Sequence, residues 1–306
     1  MQTTRNILMI RPVNFRFNEQ TAENNKFQKA SDLQDQVHEQ ALKEFDQFVE
    51  VLRSNGVNVT VIDDTPQPET PDSIFPNNWV SFHDDGTVYL YPMFSVNRRH
   101  ERRGDVISTL STRFQIKDVG DLSNFEAKHM FLEGTGSMVL DRDHKIAYAC
   151  LSLRTNEAVL HEFCVQSGYT AVVFSALDAG GFPIYHTNVM MCVGDTFAVI
   201  CLEAIPDPAQ RALVAQRLRD TGKALIEIDF QQMGSFAGNM LQVRNEAGES
   251  LLVMSEQAFK SLSQDQVSVL EQHARLVYSP LYTIEQNGGG SARCMLAEIH
   301  LPLAQR

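Results

Sequence analysis

The sequence predicts an α/β fold in which five repeated units close into one ring. Four hairpin patterns recur, each made of two apolar strand-type stretches joined by a polar or glycine-containing turn. A helix-type pattern and a further strand-type stretch belong to every unit. The last unit has no second strand after its first one, and the N-terminal residues 6–10 can supply that missing partner.

The elements follow one another with a period of about 50 to 60 residues. First strands are predicted at residues 78–82, 137–140, 188–193, 239–243 and 294–299, and second strands at 87–93, 145–151, 196–202 and 250–254. Helices are predicted at residues 33–52, 99–110, 158–166, 208–218 and 264–273, and third strands at 57–62, 114–119, 170–174, 224–228 and 275–278. Gly56, Gly168 and Gly222 stand where left-handed helix caps belong.

Units of this size cannot each bury a core alone, so they must stack or close. We therefore expect residues 1–306 to form a single domain of five ββαβ-type repeats, with the N-terminal strand closing the ring. A two-domain alternative places a linker at residues 203–208, where proline and charge are frequent. The polar stretch at residues 18–28 is predicted to be a mobile loop near the entrance of a site.

Composition excludes several classes of partner. Lysine and arginine number 26 against 38 acidic residues, a net charge of −12, so neither nucleic acid nor a membrane surface is an expected partner. The first apolar run, residues 7–10, is too short for a signal peptide or a membrane span, which predicts a cytoplasmic protein. Five widely spaced cysteines without a C-x-x-C pair predict reduced thiols, with no metal and no cofactor.

Candidate functional residues stand at matching points of the repeat, at or just before the first strand of each unit. They are Asn78, Glu133, His186 with Asn188, Asn239, and Cys294. Cys294 follows a Gly288-Gly-Gly-Ser-Ala-Arg run, whose free N–H groups can stabilise a thiolate or bind an oxyanion. A cysteine, a histidine or a turn acid is individually more often structural, but their shared repeat position favours a common site.

Six segments of the sequence resemble motifs of the guanidine-modifying (amidinotransferase or pentein) superfamily. They occur in the same order as in that family, and the resemblance covers nearly the whole chain. The segments are Phe75-Pro-Asn-Asn-Trp, Phe131-Leu-Glu-Gly-Thr-Gly-Ser, Ser152-Leu-Arg-Thr-Asn, His186-Thr-Asn, Gly238-Asn-Met-Leu and Gly288-Gly-Gly-Ser-Ala-Arg-Cys-Met. The resemblance implies a five-bladed α/β propeller, the pentein fold. It also implies that Cys294 is the nucleophile, His186 the general acid and base, and Glu133 the carboxylate that holds the substrate nitrogens.

The resemblance also implies a small amino-acid substrate. Arg98, Arg99 and Arg154 resemble the residues that grip its α-carboxylate, an assignment that suits the bidentate fork of arginine. Arg98 and Arg99 have an alternative interpretation as a solvated basic helix face. Phe75, at the start of the first segment, is counted with the substrate-binding residues. A homodimer is one possible assembly.

Two substitutions depart from the family pattern. Guanidine-binding members have aspartates where this chain has Asn78 and Asn188, and an amide removes the negative charge while adding N–H donors. The change predicts a neutral ureido substrate, citrulline, hydrolysed to ornithine, ammonia and carbon dioxide through a carbamoyl-Cys294 adduct.

Three alternatives stay open. The first is hydrolysis of arginine or methylated arginine, with Asp72, Asp118 or Asp121 replacing the missing charge. The second is an amidinotransferase, which passes the carbon unit to an amine instead of water. The third is a catalytically silent binding protein on the same scaffold.

Overall fold

The computed structural model describes residues 1–31 and 34–304 as a mixed α/β fold with five three-stranded sheets. The strands are β1 (Asn6–Arg11), β2 (Asn58–Asp63), β3 (Val80–Phe82), β4 (Thr87–Leu90), β5 (Asp118–Asp121), β6 (Val139–Asp141), β7 (Ile146–Cys150), β8 (Thr170–Phe174), β9 (Met191–Val193), β10 (Phe197–Ile200), β11 (Ala224–Glu227), β12 (Leu241–Arg244), β13 (Ser250–Ser255), β14 (Arg275–Ser279) and β15 (Ala297–Glu298).

Helices connect and cover these sheets. The α-helices are α1 (Glu19–Ala22), α2 (Gln34–Ser54), α3 (Gly104–Ser111), α4 (Gly134–Ser137), α5 (Glu157–Ser167), α6 (Pro208–Asp220), α7 (Phe230–Gly234), α8 (Glu256–Ser261), α9 (Gln264–Leu270) and α10 (Tyr282–Gly288). Short 3₁₀ helices cover Pro76–Asn78, Asn97–Glu101, Ser123–Lys128, Thr187–Val189, Leu202–Ala204 and Ala292–Met295.

All five sheets have the same topology. The middle strand pairs antiparallel with the strand on one side and parallel with the strand on the other. The sheet orders are β15-β1-β2, β3-β4-β5, β6-β7-β8, β9-β10-β11 and β12-β13-β14. Five such sheets fit a pseudo-fivefold arrangement, although each sheet is separate and the described strands form no closed sheet.

Strand β1 completes the sheet that follows Cys294. It pairs antiparallel with β15 through Ile7↔Glu298 and Leu8↔Ala297, and parallel with β2 along its whole length. Ile7, Leu8 and Met9 are fully buried. The N-terminal residues therefore supply the middle strand for a C-terminal strand of only two residues, which is the pairing expected from the repeat.

Helix ends follow ordinary capping rules. Asn156 caps α5 by accepting hydrogen bonds from the N–H groups of Ala158 and Val159, and Asp207 caps α6 in the same way. Gly168 ends α5 with a φ of +73°, which is the left-handed conformation expected of it. The buried faces of these helices pack on the sheets, in apolar clusters that fill the space between them.

Several predicted boundaries are wrong, and the errors share a cause. The first strands begin later than expected, because Asn78, Ser137, Asn188 and Cys294 lie in short helical turns that precede the strands. The second helix also begins late, at Gly104, after a separate 3₁₀ turn. Strand-type apolar patterning does not show where these short turns end and the strands begin. Leu33, the first residue of the first predicted helix, lies outside the described residues.

The stretch at residues 18–28 carries the short helix α1 and is not uniformly exposed. Asn18, Thr21, Asn25 and Gln28 are buried. In the part of the chain that the structure describes, no helix is long and apolar enough to cross a membrane.

Leu8→Ala tests the central position of β1. Leu8 is 0% exposed, whereas Leu213 on α6 is 48% exposed. Because a buried Leu→Ala change leaves a cavity, we expect Leu8→Ala to lower the free energy of unfolding by about 2–5 kcal/mol. Leu213→Ala, the matched control, should change it by less than about 1 kcal/mol. Urea denaturation measures both, and equal effects would contradict the placement of β1 in the core.

Candidate active site

The turns that precede the five sheets bring their polar residues to one pocket region. Asn78 comes before β3, Glu133 before β6, His186 before β9, Asn239 before β12 and Cys294 before β15. The pocket is lined by Thr21, Asn25, Asp72, Phe75, Asn78, Arg98, Arg154, Tyr185, His186, Gly288, Gly289, Gly290 and Cys294. Its free volume is about 10 Å³, which is space for a single water molecule.

Glu133 and His186 form the shortest contact between two titratable side chains of the site. Nε2 of His186 lies 2.8 Å from Oε2 of Glu133, and the N–H of Phe94 donates to Oε1 at 2.9 Å. Burial alone would raise the pKa of Glu133, but the Arg154 guanidinium and His186 hold it below its ordinary value. An ionised carboxylate can only accept hydrogen bonds, so Nε2 carries the proton and Nδ1 carries the lone pair.

Burial also determines the charge of His186. It lowers the pKa of the imidazole to about 4, although the hydrogen bond to Glu133 acts in the opposite direction. At neutral pH the ring is therefore neutral. A neutral imidazole beside a carboxylate can accept a proton at Nδ1 and form an imidazolium that Glu133 stabilises.

Arg154 follows β7 and is held by residues from the N-terminal stretch. Its Nε donates to Oδ1 of Asn24 at 2.7 Å, and its Nη2 donates to the carbonyl oxygen of Thr21 at 2.9 Å. Its Nη1 lies 3.4 Å from Oε2 of Glu133, and its guanidinium lies 5.0 Å from the ring centroid of Tyr185. Two neutral oxygens thus occupy the fork of the guanidinium, whose geometry also matches that of a carboxylate.

Arg98 is buried and almost fully paired. Nε and Nη2 bind the two carboxylate oxygens of Glu101, each at 2.9 Å, and Nη1 donates to Oδ1 of Asn78 at 2.9 Å. Since Arg98 has only donors, Oδ1 of Asn78 must face it, and Nδ2 of Asn78 must point elsewhere. One hydrogen on that Nδ2 goes to Oδ1 of Asn77 at 3.0 Å, which leaves the second N–H for a group in the pocket.

Asp72 is the pocket acid with spare bonding capacity. Its Oδ2 accepts from Nδ2 of Asn18 at 2.7 Å and lies 3.8 Å from Nε of Arg98. Its Oδ1 is buried and has no hydrogen-bond partner. Burial raises the pKa of Asp72, although the Arg98 guanidinium opposes the shift. Such an oxygen can receive an ammonium or a guanidinium group from a ligand.

Cys294 lies in a 3₁₀ turn and is 3% exposed. Two amide groups donate to its Sγ, Nδ2 of Asn188 from 3.4 Å and Nδ2 of Asn239 from 3.3 Å. Oδ1 of Asn188 is buried without a hydrogen-bond partner. The thiol therefore lies among amide groups, one of which keeps a free acceptor.

The other four cysteines do not line the pocket. Burial raises the pKa of Cys150 and Cys164 to about 11 and that of Cys192 and Cys201 to about 12, which makes these thiols poor nucleophiles. All five thiols are free. Over residues 1–31 and 34–304, no group of three or more His, Cys, Asp and Glu side chains is arranged to hold a metal ion.

Glycines let these turns approach one another. A Cβ on Gly136 would press against Nδ2 of Asn78 and would lie 2.8 Å from Nδ1 of His186. A Cβ on Gly290 would lie 2.9 Å from the Phe75 ring and 3.3 Å from Cβ of Cys294. The absence of side chains at these two positions therefore sets the spacing of the pocket walls.

The structure brings most of the predicted site residues together, but not all. Arg99 does not line the pocket: its Nε binds the carbonyl oxygen of Met93 and lies 3.5 Å from Glu126. Successive residues of a 3₁₀ turn point about 120° apart, so Arg98 faces the pocket and Arg99 points away from it. Arg98 is 2% exposed, which excludes a solvated basic face for it. Asp118 and Asp121 are exposed on β5.

Sequence reasoning did not single out Thr21, Asn25 and Tyr185, which line the pocket, or Asn24, which contacts Arg154. Thr21 and Asn24 bind Arg154, while Tyr185 donates through its hydroxyl to the carbonyl oxygen of Gly289 at 2.6 Å. The sequence gives weak signals for them, since three lie in the polar stretch at residues 18–28 and Tyr185 precedes His186.

The sequence model of the family described as N,N dimethylarginine dimethylhydrolase, eukaryotic, matches residues 11–301 of this chain. Comparison with curated proteins found no match.

Three solved structures illustrate the likeness in fold. The N-terminal domain of ArgZ, a substrate-bound arginine dihydrolase from the ornithine-ammonia cycle in Cyanobacteria, has a TM-score of 0.75 at 15% identity and covers 97% of this chain and 98% of its own. AgrE with ornithine and NAD⁺ has a TM-score of 0.72 at 18% identity, over 98% of this chain and 40% of its own. DDAH from Pseudomonas aeruginosa, complexed with citrulline, has a TM-score of 0.66 at 15% identity, over 98% and 100%. At these identities the likeness shows the fold alone.

Gly136→Ala tests whether the turn before β6 sets the position of Asn78 and His186. The added methyl group would displace both side chains. Because a small misplacement near reacting groups lowers the rate steeply, we expect the kcat/KM of the enzyme to fall by at least about 100-fold. Gly104→Ala is the matched control, because a Cβ there meets nothing within 4 Å. Its kinetics should match those of the parent, and a fully active Gly136→Ala variant would contradict this geometry.

The pKa of His186 predicts how stability depends on pH. The folded-state pKa of about 4 lies below the ordinary value of 6.5, so the unfolded chain binds a proton first as the pH falls. Stability is therefore complete above pH 6.5 and decreases between about pH 6.5 and pH 4, by up to roughly 3 kcal/mol from this residue. Urea denaturation at pH 7 and pH 5 should show a smaller loss for His186→Gln than for the parent. His161→Gln, at an exposed position on α5, should retain the full loss.

Proposed function

The chain belongs to the family described as N,N dimethylarginine dimethylhydrolase, eukaryotic, and on this premise we propose that it hydrolyses a C–N bond of a ureido amino acid, citrulline. Cys294 is the nucleophile, His186 moves protons, and Glu133 orients and stabilises the imidazole. The products are ornithine, ammonia and carbon dioxide.

The first half of the reaction forms a covalent adduct. The Cys294 proton passes to Nδ1 of the neutral His186, and Sγ attacks the ureido carbon, forming a C–S bond. Collapse of this intermediate breaks the bond between that carbon and the side-chain nitrogen. The imidazolium returns the proton to the departing nitrogen, so ornithine leaves and a carbamoyl group stays on sulfur.

The second half of the reaction restores the thiol. Water attacks the carbamoyl carbon while His186 accepts one of its protons, the C–S bond breaks, and the imidazolium returns the proton to the sulfur. Carbamic acid leaves and decomposes to ammonia and carbon dioxide. One molecule of water is consumed for each citrulline, and Glu133 supports the imidazolium each time it forms, through the contact of 2.8 Å.

The observation that carries a ureido substrate is the locked orientation of Asn78. Arg98 fixes Oδ1 of Asn78, so this side chain offers an N–H to the pocket. A ureido carbonyl oxygen accepts that hydrogen bond, whereas a guanidinium has only donors to present against it. Asn188 contacts Cys294 and has an unpaired Oδ1, which can accept a hydrogen bond from the ureido NH₂ group.

The amino-acid end of the substrate meets the charged side of the pocket. Its α-carboxylate displaces Asn24 and Thr21 from the fork of Arg154, and its α-ammonium binds the unpaired Oδ1 of Asp72. Because the described pocket holds about one water molecule, the N-terminal stretch at residues 18–31 must move when a substrate enters.

Asp72 also favours a second candidate, hydrolysis of arginine or a methylated arginine. Its buried, unpaired oxygen could neutralise a guanidinium in place of the missing aspartates, and the family description names a methylated arginine. The neighbouring ArgZ is described as an arginine dihydrolase.

An amidinotransferase would instead pass the carbon unit to an amine. When an amine is added to the reaction, such an enzyme would give a carbamoylated or amidinated product.

We also infer that residues 1–306 form one pentein domain in which the five sheets are propeller blades around the pocket. Each sheet contributes a residue from the turn before its first strand, as expected of repeats around an axis. Contacts run from β15 to β3, from β6 to β9 and from β9 to β12, and α2 packs on β14. These contacts link sheets that follow one another in the sequence.

Substrate preference tests the proposal. We expect citrulline to be hydrolysed with a kcat/KM at least about 100-fold above those of arginine and dimethylarginine, because a site built for one hydrogen-bond pattern rejects its mismatch. Asn78→Asp combined with Asn188→Asp should reverse this preference. Ornithine release measures the activity, and Asn58→Asp, on the remote strand β2, controls for added charge.

Mass spectrometry of protein quenched during turnover gives a second readout. We expect the mass of a carbamoyl group on Cys294 and none on Cys294→Ser. Efficient hydrolysis of arginine with citrulline inert would overturn the ureido proposal. Loss of that activity in Asp72→Asn would then identify the acid that binds the guanidinium.

A further inference from the structure

Asn239 contacts the reacting sulfur and has no role in the scheme above. It lies in the Gly238-Asn-Met-Leu segment just before β12 and is 0% exposed. Its Nδ2 lies 3.3 Å from Sγ of Cys294 and 2.9 Å from the carbonyl oxygen of Asn188. Its Oδ1 lies 3.1 Å from the backbone nitrogen of Arg293.

These partners determine which way the amide faces. The N–H of Arg293 can only donate and the carbonyl of Asn188 can only accept, so Oδ1 must face Arg293 and Nδ2 must face Asn188. A flipped amide would place two donors together and two acceptors together. The second hydrogen on Nδ2 is therefore directed at Sγ of Cys294.

Asn188 differs in this respect, although it contacts the same sulfur. Its Nδ2 lies 3.4 Å from Sγ, but its Oδ1 has no partner to fix the orientation of the amide. Hydrogen bonds therefore leave the orientation of the Asn188 amide unfixed. The fixed donor to the sulfur is Asn239.

The backbone is built to hold Asn239 in this place. A Cβ on Gly238 would collide with the carbonyl oxygen of Val189 and would lie 2.7 Å from the carbonyl carbon of Met190. The glycine thus lets the turn before β12 pack directly on the turn that carries Asn188. Asn239 bridges that turn and the Cys294 turn through three hydrogen bonds.

Among the residues that the structure describes, no cationic side chain is hydrogen-bonded to Sγ of Cys294. Arg293 precedes Cys294, but its guanidinium binds Glu298 at 2.7 Å and the carbonyl oxygen of Leu296 at 2.8 Å. The titratable groups that line the same pocket are Asp72, Arg98, Arg154, Tyr185 and His186. In the described ranges, the side-chain hydrogen bonds to Sγ come from the two asparagines.

We propose that Asn239 stabilises the Cys294 thiolate by donating a hydrogen bond to Sγ and fixes the direction from which the sulfur attacks. The inference rests on the proposed function only in making Cys294 the nucleophile. A hydrogen bond to a charged acceptor is stronger than one to a neutral acceptor, so the amide favours the thiolate over the thiol.

Alkylation by iodoacetamide tests this without any substrate. The rate at Cys294 is followed across a range of pH by mass spectrometry of the peptide that contains it, with Cys294→Ser to identify that peptide. For Asn239→Ala we expect the midpoint of the rate profile to rise by about one pH unit or more. Asn239→Asp keeps the side-chain shape but places a carboxylate against the sulfur, so its midpoint should rise further.

Asn58→Ala is the matched control, since Asn58 binds another asparagine, Asn6, at 2.7 Å on the remote strand β2. Its midpoint should equal that of the parent. Thermal unfolding shows which variants are folded at the assay temperature. If Asn239→Ala is unfolded there, the midpoint of the near-isosteric Asn239→Asp tests the proposal instead.

An unchanged midpoint in a folded Asn239→Ala, or a midpoint in Asn239→Asp at or below that of the parent, would overturn the proposal. Because no substrate is present, these outcomes are independent of whether citrulline is hydrolysed. A shifted midpoint in a protein that turns over neither citrulline nor arginine would support the role of Asn239 and reject the proposed function.

Discussion

Glu133 accepts hydrogen bonds from His186 and Phe94 in a fully buried position, and the arrangement of the pocket depends on that carboxylate. A buried charge is tolerated only when it is paired and hydrogen-bonded. Arg154 provides the pairing from 3.4 Å, and Arg98 lies 3.9 Å away. Removing the carboxylate would leave the two arginines with less compensation and His186 without its acceptor. The tautomer of the imidazole, and hence the nitrogen that moves protons, follows from this one contact.

Charge pairing also fixes the orientation of Asn78 in the pocket wall. Arg98 binds Glu101 with two hydrogen bonds and turns its remaining N–H toward Asn78. That contact orients the Asn78 amide, so an N–H faces the pocket at a point where the related guanidine-binding pattern has a carboxylate. The orientation of the Asn78 amide thus depends on an arginine that is itself held by a glutamate. The ion pair between Arg98 and Glu101 thus determines that Asn78 presents a donor, and not an acceptor, to the pocket.

Close approach of the turns is the other requirement of the site. Asn78, Glu133, His186, Asn239 and Cys294 lie in turns that precede five different sheets, and each turn must pass within van der Waals distance of another. Gly136, Gly238 and Gly290 provide this at three of the contacts, where a methyl group would strike a neighbouring turn or side chain. The repeated glycines of the motifs are therefore a packing requirement of the site as well as a turn signal.

The sequence by itself determined the repeat, the pairing of the first strand with the last, and the catalytic candidates Cys294, His186 and Glu133. Period and strand-type patterning are local properties, and the matching repeat position of these residues is visible without coordinates. Only the tertiary structure decided the helical turns before the first strands, the inward direction of Arg98 against the outward direction of Arg99, and the unpaired oxygen of Asp72. It also decided that Asn24, some 130 residues away, occupies the fork of Arg154. Orientation and pairing of this kind depend on side chains that are distant along the chain, and no local pattern encodes which of them meet.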